Sequence, residues 1–126
     1  MKRILIVDDD SAIRRALRLR FERAGYAVAE AESAVQALKE VGGDAPPDGI
    51  VCDVMMPGMN GIEFFAALGD VAPSLQRRLV FLTGASRDPA VHTMIEQLGV
   101  PLLGKLDDFQ LVVDAIRVAL VLPTKR

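Results

Sequence analysis

The stretch Val51-Cys52-Asp53-Val54-Met55-Met56-Pro57-Gly58-Met59-Asn60-Gly61 decides how this chain is interpreted. Apolar residues before Asp53 predict a buried strand over Gly49 to Asp53, and the proline and glycines after it predict a loop. Packing in a strand does not favour an aspartate there, because Asp is depleted in strands and costly to bury unpaired. Taken alone, Asp53 is better explained as a turn residue that bonds its own loop backbone. The rest of the chain favours a functional site instead.

Length and composition predict one compact domain. The chain has 126 residues, is 51% apolar and carries a formal net charge of -2, so it gives no general signal for binding nucleic acid or a membrane. Its apolar runs are too short for a membrane span or a signal peptide. One cysteine and one histidine leave no internal disulfide and no set of soft zinc ligands. We therefore expect a cytoplasmic protein, with Cys52 in its core, that binds neither nucleic acid directly nor a membrane.

Strand and helix patterns alternate along the chain. Five strands alternating with five helices predict an α/β fold, a doubly wound five-stranded parallel sheet in the order 2-1-3-4-5, flavodoxin-like (βα)5. The second strand is half-exposed and the fifth contains a proline, so both are expected at sheet edges. The predicted strands are Arg3 to Val7, Tyr26 to Ala31, Gly49 to Asp53, Arg78 to Gly84 and Val100 to Gly104.

Polar residues stand at the carboxyl ends of four of these strands. They are Asp8 and Asp9 after the first strand, Asp53 in the third, Thr83 in the fourth and Lys105 after the fifth. Ligands of such sheets bind beyond the carboxyl ends of the strands, so these side chains are expected to share one site. Each residue has an ordinary alternative as a cap, a turn residue or a surface cation. Their convergence from four strands favours the shared site.

The residue types at this edge indicate phosphoryl transfer. Three carboxylates in one crevice repel each other unless a cation joins them, and an all-oxygen donor set suits magnesium, with manganese as an alternative. Lys105 would balance further charge. Thr83 would donate its hydroxyl to an anion, for which the missing side chain of Gly84 leaves room. A carboxylate nucleophile yields an acyl phosphate, a readily hydrolysed product that suits a reversible signal.

In their order and spacing, these residues resemble the receiver domains of two-component response regulators. The resemblance runs from Arg3 to about Leu122, and implies a receiver domain over residues 1–122 with residues 123–126 as a C-terminal tail or the start of a linker. The fifth-strand region, Gly99 to Lys105, is also similar to receivers attached to hybrid histidine kinases. The motifs that carry the resemblance are Val7-Asp8-Asp9, Asp53 with Met56-Pro57-Gly58-Met59-Asn60-Gly61, Leu82-Thr83-Gly84, and Lys105.

The resemblance implies a role for each residue of the predicted site. Asp53 would accept a phosphoryl group from a histidine kinase or a histidine phosphotransfer protein, and the domain would then change its binding to an effector that the sequence does not identify. Thr83 and Lys105 would bind the phosphoryl oxygens and shift on phosphorylation. The domain would be no enzyme beyond its own phosphorylation and dephosphorylation, and a homodimer is a further alternative. The implied magnesium ligands are Asp8, Asp9, Asp53 and the main-chain carbonyl of Met55.

Several residues near the site depart from the family pattern. Leu106 follows Lys105 where proline with a cis bond is usual, and we predict a trans bond, because a cis bond before a non-proline costs about 3–4 kcal/mol. Leu102 stands where many receivers carry an aromatic switch residue. Met55 and Ala85 are apolar where many members have polar side chains that influence hydrolysis. Because apolar groups place no attacking water, we expect a long-lived phosphorylated form.

Two other functions stay open from the sequence. One is a receiver-like interaction module that is never phosphorylated, which Leu102 and Leu106 leave open. The other, less favoured, is a magnesium-dependent phosphohydrolase, which would usually need a second acid near Asp53 and a cap segment. The arginines of the first helix, Arg14, Arg15 and Arg18, are expected to form a solvated face, with a docking surface for a kinase as the alternative.

Overall fold

The computed structural model describes residues 1–84 and 89–121 of the chain. Within these residues five strands alternate with five α-helices, as the apolar pattern predicts. The strands are β1 (Arg3–Val7), β2 (Ala27–Ala31), β3 (Gly49–Asp53), β4 (Leu79–Thr83) and β5 (Leu102–Gly104). The helices are α1 (Ser11–Arg23), α2 (Ala34–Val41), α3 (Gly61–Val71), α4 (Pro89–Leu98) and α5 (Phe109–Leu120), with a 3-10 helix, Pro73–Arg78, before β4.

The strands form one parallel sheet in the order β2-β1-β3-β4-β5, which confirms the predicted topology. The register aligns the carboxyl ends of the central strands, since Val7 lies beside Cys52 and Asp53 beside Leu82. At the edge of the sheet, Thr83 lies beside Gly104. Polar residues at or just after these positions therefore reach the same edge of the sheet, which is the condition for a shared site.

Both faces of the sheet are covered by apolar layers. Successive residues of a strand point to opposite faces, so Ile4 and Ile6 of β1 enter one layer while Leu5 and Val7 enter the other. The first layer packs against α1 and α5, and the second against α2, α3 and α4. Cys52 is buried in the second layer, as predicted, and burial raises the pKa of its thiol well above the usual range.

Local details refine the predicted elements. A capping box opens α3: Asn60 Oδ1 accepts from the Glu63 amide at 2.8 Å, and the Glu63 carboxylate accepts from the Asn60 amide at 2.9 Å. At α2, the Ser33 hydroxyl accepts from the Gln36 amide, and the Gln36 side chain accepts from the amide of Glu32. Strand β5 begins two residues later than predicted, at Leu102. The reason is that a proline, here at position 101, cannot donate to a neighbouring strand.

Some sequence expectations fall on residues outside the described ranges. Ala85, the end of the predicted domain at residue 122 and the tail at residues 123–126 are among them. A search of the described helices finds none with the length and apolarity that crossing a membrane requires.

Candidate functional site

Three aspartates meet at the carboxyl edge of the sheet. Asp8 follows β1 and Asp53 ends β3, and both are buried, with exposures of 1% and 2%. Asp9 is exposed at the rim of the same place. One carboxylate oxygen from each residue lies within 4.8 Å of the other two. The structure thus brings together the three acids that the sequence places at the ends of two different strands.

Lys105 reaches this cluster from the turn after β5. Its ammonium nitrogen, Nζ, lies 3.0 Å from Asp53 Oδ2, 2.9 Å from Asp8 Oδ2 and 3.2 Å from Asp8 Oδ1. No peptide bond of the described residues is cis, so the Lys105–Leu106 bond is trans, as predicted. A leucine after the lysine therefore leaves the ammonium group aimed at both buried acids.

Burial and a neighbouring negative charge raise the pKa of Asp53. Burial is the larger cause and the charge of Asp8 the smaller, and together they raise this pKa from 3.8 to about 6 although the hydrogen bond from Lys105 opposes them. The pKa of the Lys105 ammonium is also raised: burial lowers it, but the hydrogen bonds to Asp8 and Asp53 outweigh that effect. A second cation near Asp53 would therefore relieve the repulsion between the acids.

Backbone contacts fix the two buried acids in place. The Asp8 carboxylate accepts from the Asp10 amide at 2.9 Å, and Asp53 Oδ1 accepts from the Met55 amide at 3.3 Å. The amide of Gly61 donates to the Val54 carbonyl at 2.9 Å, and a Cβ at Gly61 would collide with the main-chain carbonyl of Asp53. Helix α3 can begin this close to Asp53 because residue 61 has no side chain.

Thr83 presents a buried hydroxyl to the same edge. Its exposure is 6%, and Oγ1 has no hydrogen-bond partner among the residues that the structure describes. A buried polar atom usually has a partner, since leaving it unsatisfied costs about 1–3 kcal/mol. The Thr83 main-chain carbonyl accepts from the Lys105 amide at 2.8 Å, so the two residues are tied together. The hydroxyl is thus available to a bound oxygen anion.

The donor set fits a hard divalent cation. All three converging side chains offer carboxylate oxygens, and no thiolate or imidazole joins them in the described part of the chain. These oxygens lie within reach of a common point, since they are within 4.8 Å of one another. Mg2+ suits such donors and usually retains several waters, which an exposed rim at Asp9 would allow.

The residues expected to tune the site differ in exposure. The Met55 side chain is 60% exposed and that of Leu106 is 94% exposed. Leu102 is half-buried, and Gly84 is exposed. The part that these residues play in tuning the site stays a prediction.

Sequence reasoning missed an arginine network beside the pocket. Arg14 donates from Nε to Glu30 at 2.9 Å and from a terminal nitrogen to the Asp8 carbonyl at 2.7 Å. Arg18 donates to the other Glu30 oxygen at 2.6 Å and to Glu22 at 3.1 Å. The prediction of a wholly solvated arginine face is therefore wrong for Arg14 and Arg18, because Glu30 of β2 draws both onto the sheet edge. Arg15 is exposed.

Comparison with known sequences decides the family. Residues 4–117 match the response regulator receiver domain. The chain belongs to this family. It is a receiver domain of the kind that response regulators use in two-component signalling.

Individual relatives agree with this assignment of the receiver domain. Response regulator MprA of Mycobacterium tuberculosis strain H37Rv is 45% identical over 76 residues, covering 58% of this chain and 33% of the relative. The chain thus spans about a third of the length of the curated relatives that it matches. A solved structure from Chloroflexus aurantiacus has a TM-score of 0.83 at 27% identity, and the match covers 96% of this chain and 98% of that one.

A more distant solved structure supports the fold alone. The receiver domain protein from Clostridium thermocellum has a TM-score of 0.84 at 24% identity, covering 95% of this chain and 94% of its own. The order of strands and the helices on both faces are thus those of the receiver fold, as the sequence predicts.

Proposed function

We propose that Asp53 is the phosphoacceptor of this receiver domain. The observation that carries the proposal is the position of its carboxylate, buried at the carboxyl end of β3, 3.0 Å from Lys105 Nζ and within 4.8 Å of oxygens from Asp8 and Asp9. An anionic oxygen is the nucleophile that attack on phosphorus needs. The neighbouring groups can position a phosphoryl group and offset its charge, which is most of the catalysis in such reactions.

The proposed reaction moves a phosphoryl group between two side chains. A carboxylate oxygen of Asp53 forms a bond to phosphorus while the bond from phosphorus to the imidazole nitrogen of a phosphohistidine breaks. The electron pair of that bond stays with the departing imidazole. Lys105 Nζ and the Thr83 hydroxyl, both adjoining the pocket, would bind oxygens of the transferred group. The donor would be a histidine kinase or a histidine phosphotransfer protein.

Asp8, Asp9, Asp53 and the main-chain carbonyl of Met55 are the proposed ligands of Mg2+, with Mn2+ as the alternative. When bound, the ion would neutralise charge on the carboxylates and on the phosphoryl oxygens. The raised pKa of Asp53, caused first by burial and then by the charge of Asp8, supports this assignment, because a bound cation would stabilise the charged carboxylate. The protein's own part is to hold the acids close together at the ends of two adjacent strands.

Further details of the function are part of the same proposal. The domain would act in the cytoplasm, within residues 1–122, and would signal by changing its contacts with an effector or a second copy. Catalysis would be limited to its own phosphorylation and dephosphorylation. The exposed apolar side chain of Met55 supports slow hydrolysis, since it holds no attacking water, and rapid loss of label from the purified phosphoprotein in Mg2+ would contradict this. A hybrid kinase origin stays a prediction.

The test is incubation of the protein with acetyl phosphate and Mg2+, followed by intact mass measurement. We expect the wild type to gain one phosphoryl group with release of acetate, and Asp53→Asn to gain none. Asp44→Asn is a matched control, because Asp44 is an exposed loop residue and should leave labelling unchanged. Labelling of Asp53→Asn to the wild-type level would overturn the assignment. A wild type that stays unlabelled even with a phosphohistidine donor would favour the unphosphorylated interaction module.

A further inference from the structure

The turn that carries Lys105 has little apolar anchoring of its own. Strand β5 has three residues and lies at the sheet edge, and the next side chain in the turn, Leu106, is 94% exposed. On one side, the Lys105 amide donates to the Thr83 carbonyl at 2.8 Å. A single backbone hydrogen bond at a strand end leaves the direction of the following residues open. Something else must fix the path of the chain between Lys105 and α5.

Asp107 supplies that second anchor. Its carboxylate oxygen Oδ2 accepts from the amide of Gly104 at 2.8 Å, while its own amide donates to the Gly104 carbonyl at 3.0 Å. Both backbone groups of Gly104 are therefore bound by one residue, and Lys105 and Leu106 lie in the small ring that these bonds close. The carboxylate comes this near because residue 104 has no side chain: a Cβ there would lie 3.2 Å from Asp107 Oδ2.

The neighbouring acid, Asp108, makes different contacts, so its substitution is a control for that of Asp107. Asp108 Oδ1 accepts from the Gln110 amide at 2.8 Å and caps α5, and its other partner is Arg20, whose terminal nitrogen lies 3.3 Å away. Asp107 and Asp108 are both exposed, adjacent and of the same chemistry. One closes the turn before the helix and the other caps the helix itself.

We infer that Asp107 is a positioning residue: by bracketing Gly104 it sets the path of the turn and so aims the Lys105 ammonium at Asp53 and Asp8. Lys105 Nζ makes contacts of 3.0 Å and 2.9 Å with those acids through a side chain of four methylenes. A shift of the Lys105 Cα larger than the side-chain torsions can absorb would break these contacts. That this orientation of Lys105 matters for phosphoryl uptake rests on the proposed function. The orientation of Lys105 by Asp107 does not depend on that function.

The experiment therefore has one readout that needs no phosphorylation. The chain has four lysines, Lys2, Lys39, Lys105 and Lys125, so side-chain ammonium signals in a 1H–15N spectrum are few. An ammonium held between two carboxylates exchanges its protons slowly, and Lys105→Met identifies the signal of Lys105 by removing it. We expect this signal in the wild type and in Asp108→Ala. We expect it to disappear in Asp107→Ala and to return in Asp107→Asn, which keeps an acceptor oxygen for the Gly104 amide.

The second readout is the rate of phosphoryl uptake from acetyl phosphate. We expect Asp107→Ala to be slower by about ten-fold, because a small misplacement of a charge-stabilising group has effects of this size or larger. Asp107→Asn and Asp108→Ala should stay within about two-fold of the wild type. Asp107→Leu, which has the shape of Asp without its acceptor, replaces Asp107→Ala if that variant does not fold.

The outcomes separate the inference from the proposed function. A Lys105 signal at full strength in the acceptor-free variants would overturn the positioning role, whatever happens to phosphorylation. Equal loss of the Lys105 signal in Asp108→Ala would also overturn the positioning role, since a general effect on α5 would then explain the loss in both variants. If the signal follows the expected pattern while the wild type takes up no phosphoryl group, the proposed function fails and the role of Asp107 in aiming Lys105 stands.

Discussion

Two charged clusters lie on either side of β1, and their charges are balanced differently. The pocket cluster, Asp8, Asp53 and Lys105, sets one cation between two buried acids, with exposed Asp9 nearby. The arginine cluster of α1 and β2 sets two cations against two acids, and its members are partly exposed. The members of the arginine cluster are Arg14, Arg18, Glu22 and Glu30.

The pKa of a carboxyl group is lowered in the arginine cluster and raised in the pocket cluster. The hydrogen bond from Arg18 lowers the pKa of Glu30, burial opposes that effect, and Arg14 lowers the pKa further. In the pocket cluster, burial and the charge of Asp8 raise the pKa of Asp53 to about 6 despite Lys105. The arginine cluster is complete by itself and fastens α1 to β2. The pocket cluster is short of positive charge, which is what a site for a cation requires.

The largest expected effect on stability comes from neutralising Asp53, because burial and the charge of Asp8 disfavour its charged form. A pKa raised from 3.8 to about 6 means that the charged form of Asp53 destabilises the folded state by about 3 kcal/mol. We expect Asp53→Asn to increase the free energy of unfolding by about 2 kcal/mol at pH 7.5 without Mg2+, measured by urea denaturation. Asp44→Asn should change it little. A less stable Asp53→Asn would show that the pocket cluster is not strained by its charge.

The pH dependence of the same pair of proteins sharpens this test. As the pH falls through about 6, folded wild type takes up a proton at Asp53 that the unfolded chain takes up only near 3.8. The stability of the wild type relative to Asp53→Asn should therefore rise as the pH falls from 7.5 to 5, and the gap between the two proteins should narrow by about 1.4 kcal/mol. Urea denaturation at each pH measures the gap. A gap that is constant over this range would contradict a raised pKa.

Addition of Mg2+ should have the next largest effect. A ligand that binds only the folded state adds about 1.4 kcal/mol to the free energy of unfolding at a ten-fold excess over its Kd. We expect this gain in the wild type, measured against NaCl at matched ionic strength. It should be clearly smaller in Asp53→Asn, which lacks one proposed ligand. Equal gains in both proteins would place the ion somewhere other than the pocket cluster.

The smallest effect is expected in the arginine cluster. Glu30→Gln should lower the free energy of unfolding by about 0.5–1 kcal/mol at pH 7 in low salt, because the ion pairs are partly exposed and screened by solvent. Because the pKa of Glu30 is lowered, its contribution is present at neutral pH and is lost as the pH falls through that lowered value. Glu32→Gln, at an exposed position two residues on, is the control. The loss should shrink in 1 M NaCl, where the Debye length is about 3 Å.

Local patterns in the sequence predict the strands and helices because residues close together in the chain determine where these elements form. The alternation of Tyr26 to Ala31 predicts an edge strand, and β2 is one. The Asn60 and Glu63 spacing predicts a capping box that the structure contains. The 3-10 helix Pro73–Arg78 was not predicted, because its short sequence has no period of its own and it packs through Leu75.

The sequence by itself determined which residues share the pocket. Parallel strands end at one edge of a sheet, so acids, a hydroxyl and an ammonium group at strand ends had to meet once the strand order was known. Only the tertiary structure decided which charges pair. The contacts of Glu30 with Arg14 and Arg18, and of Asp53 with Lys105, join residues 12 to 52 positions apart. Such pairing depends on burial and on distances across the fold, neither of which a local pattern contains.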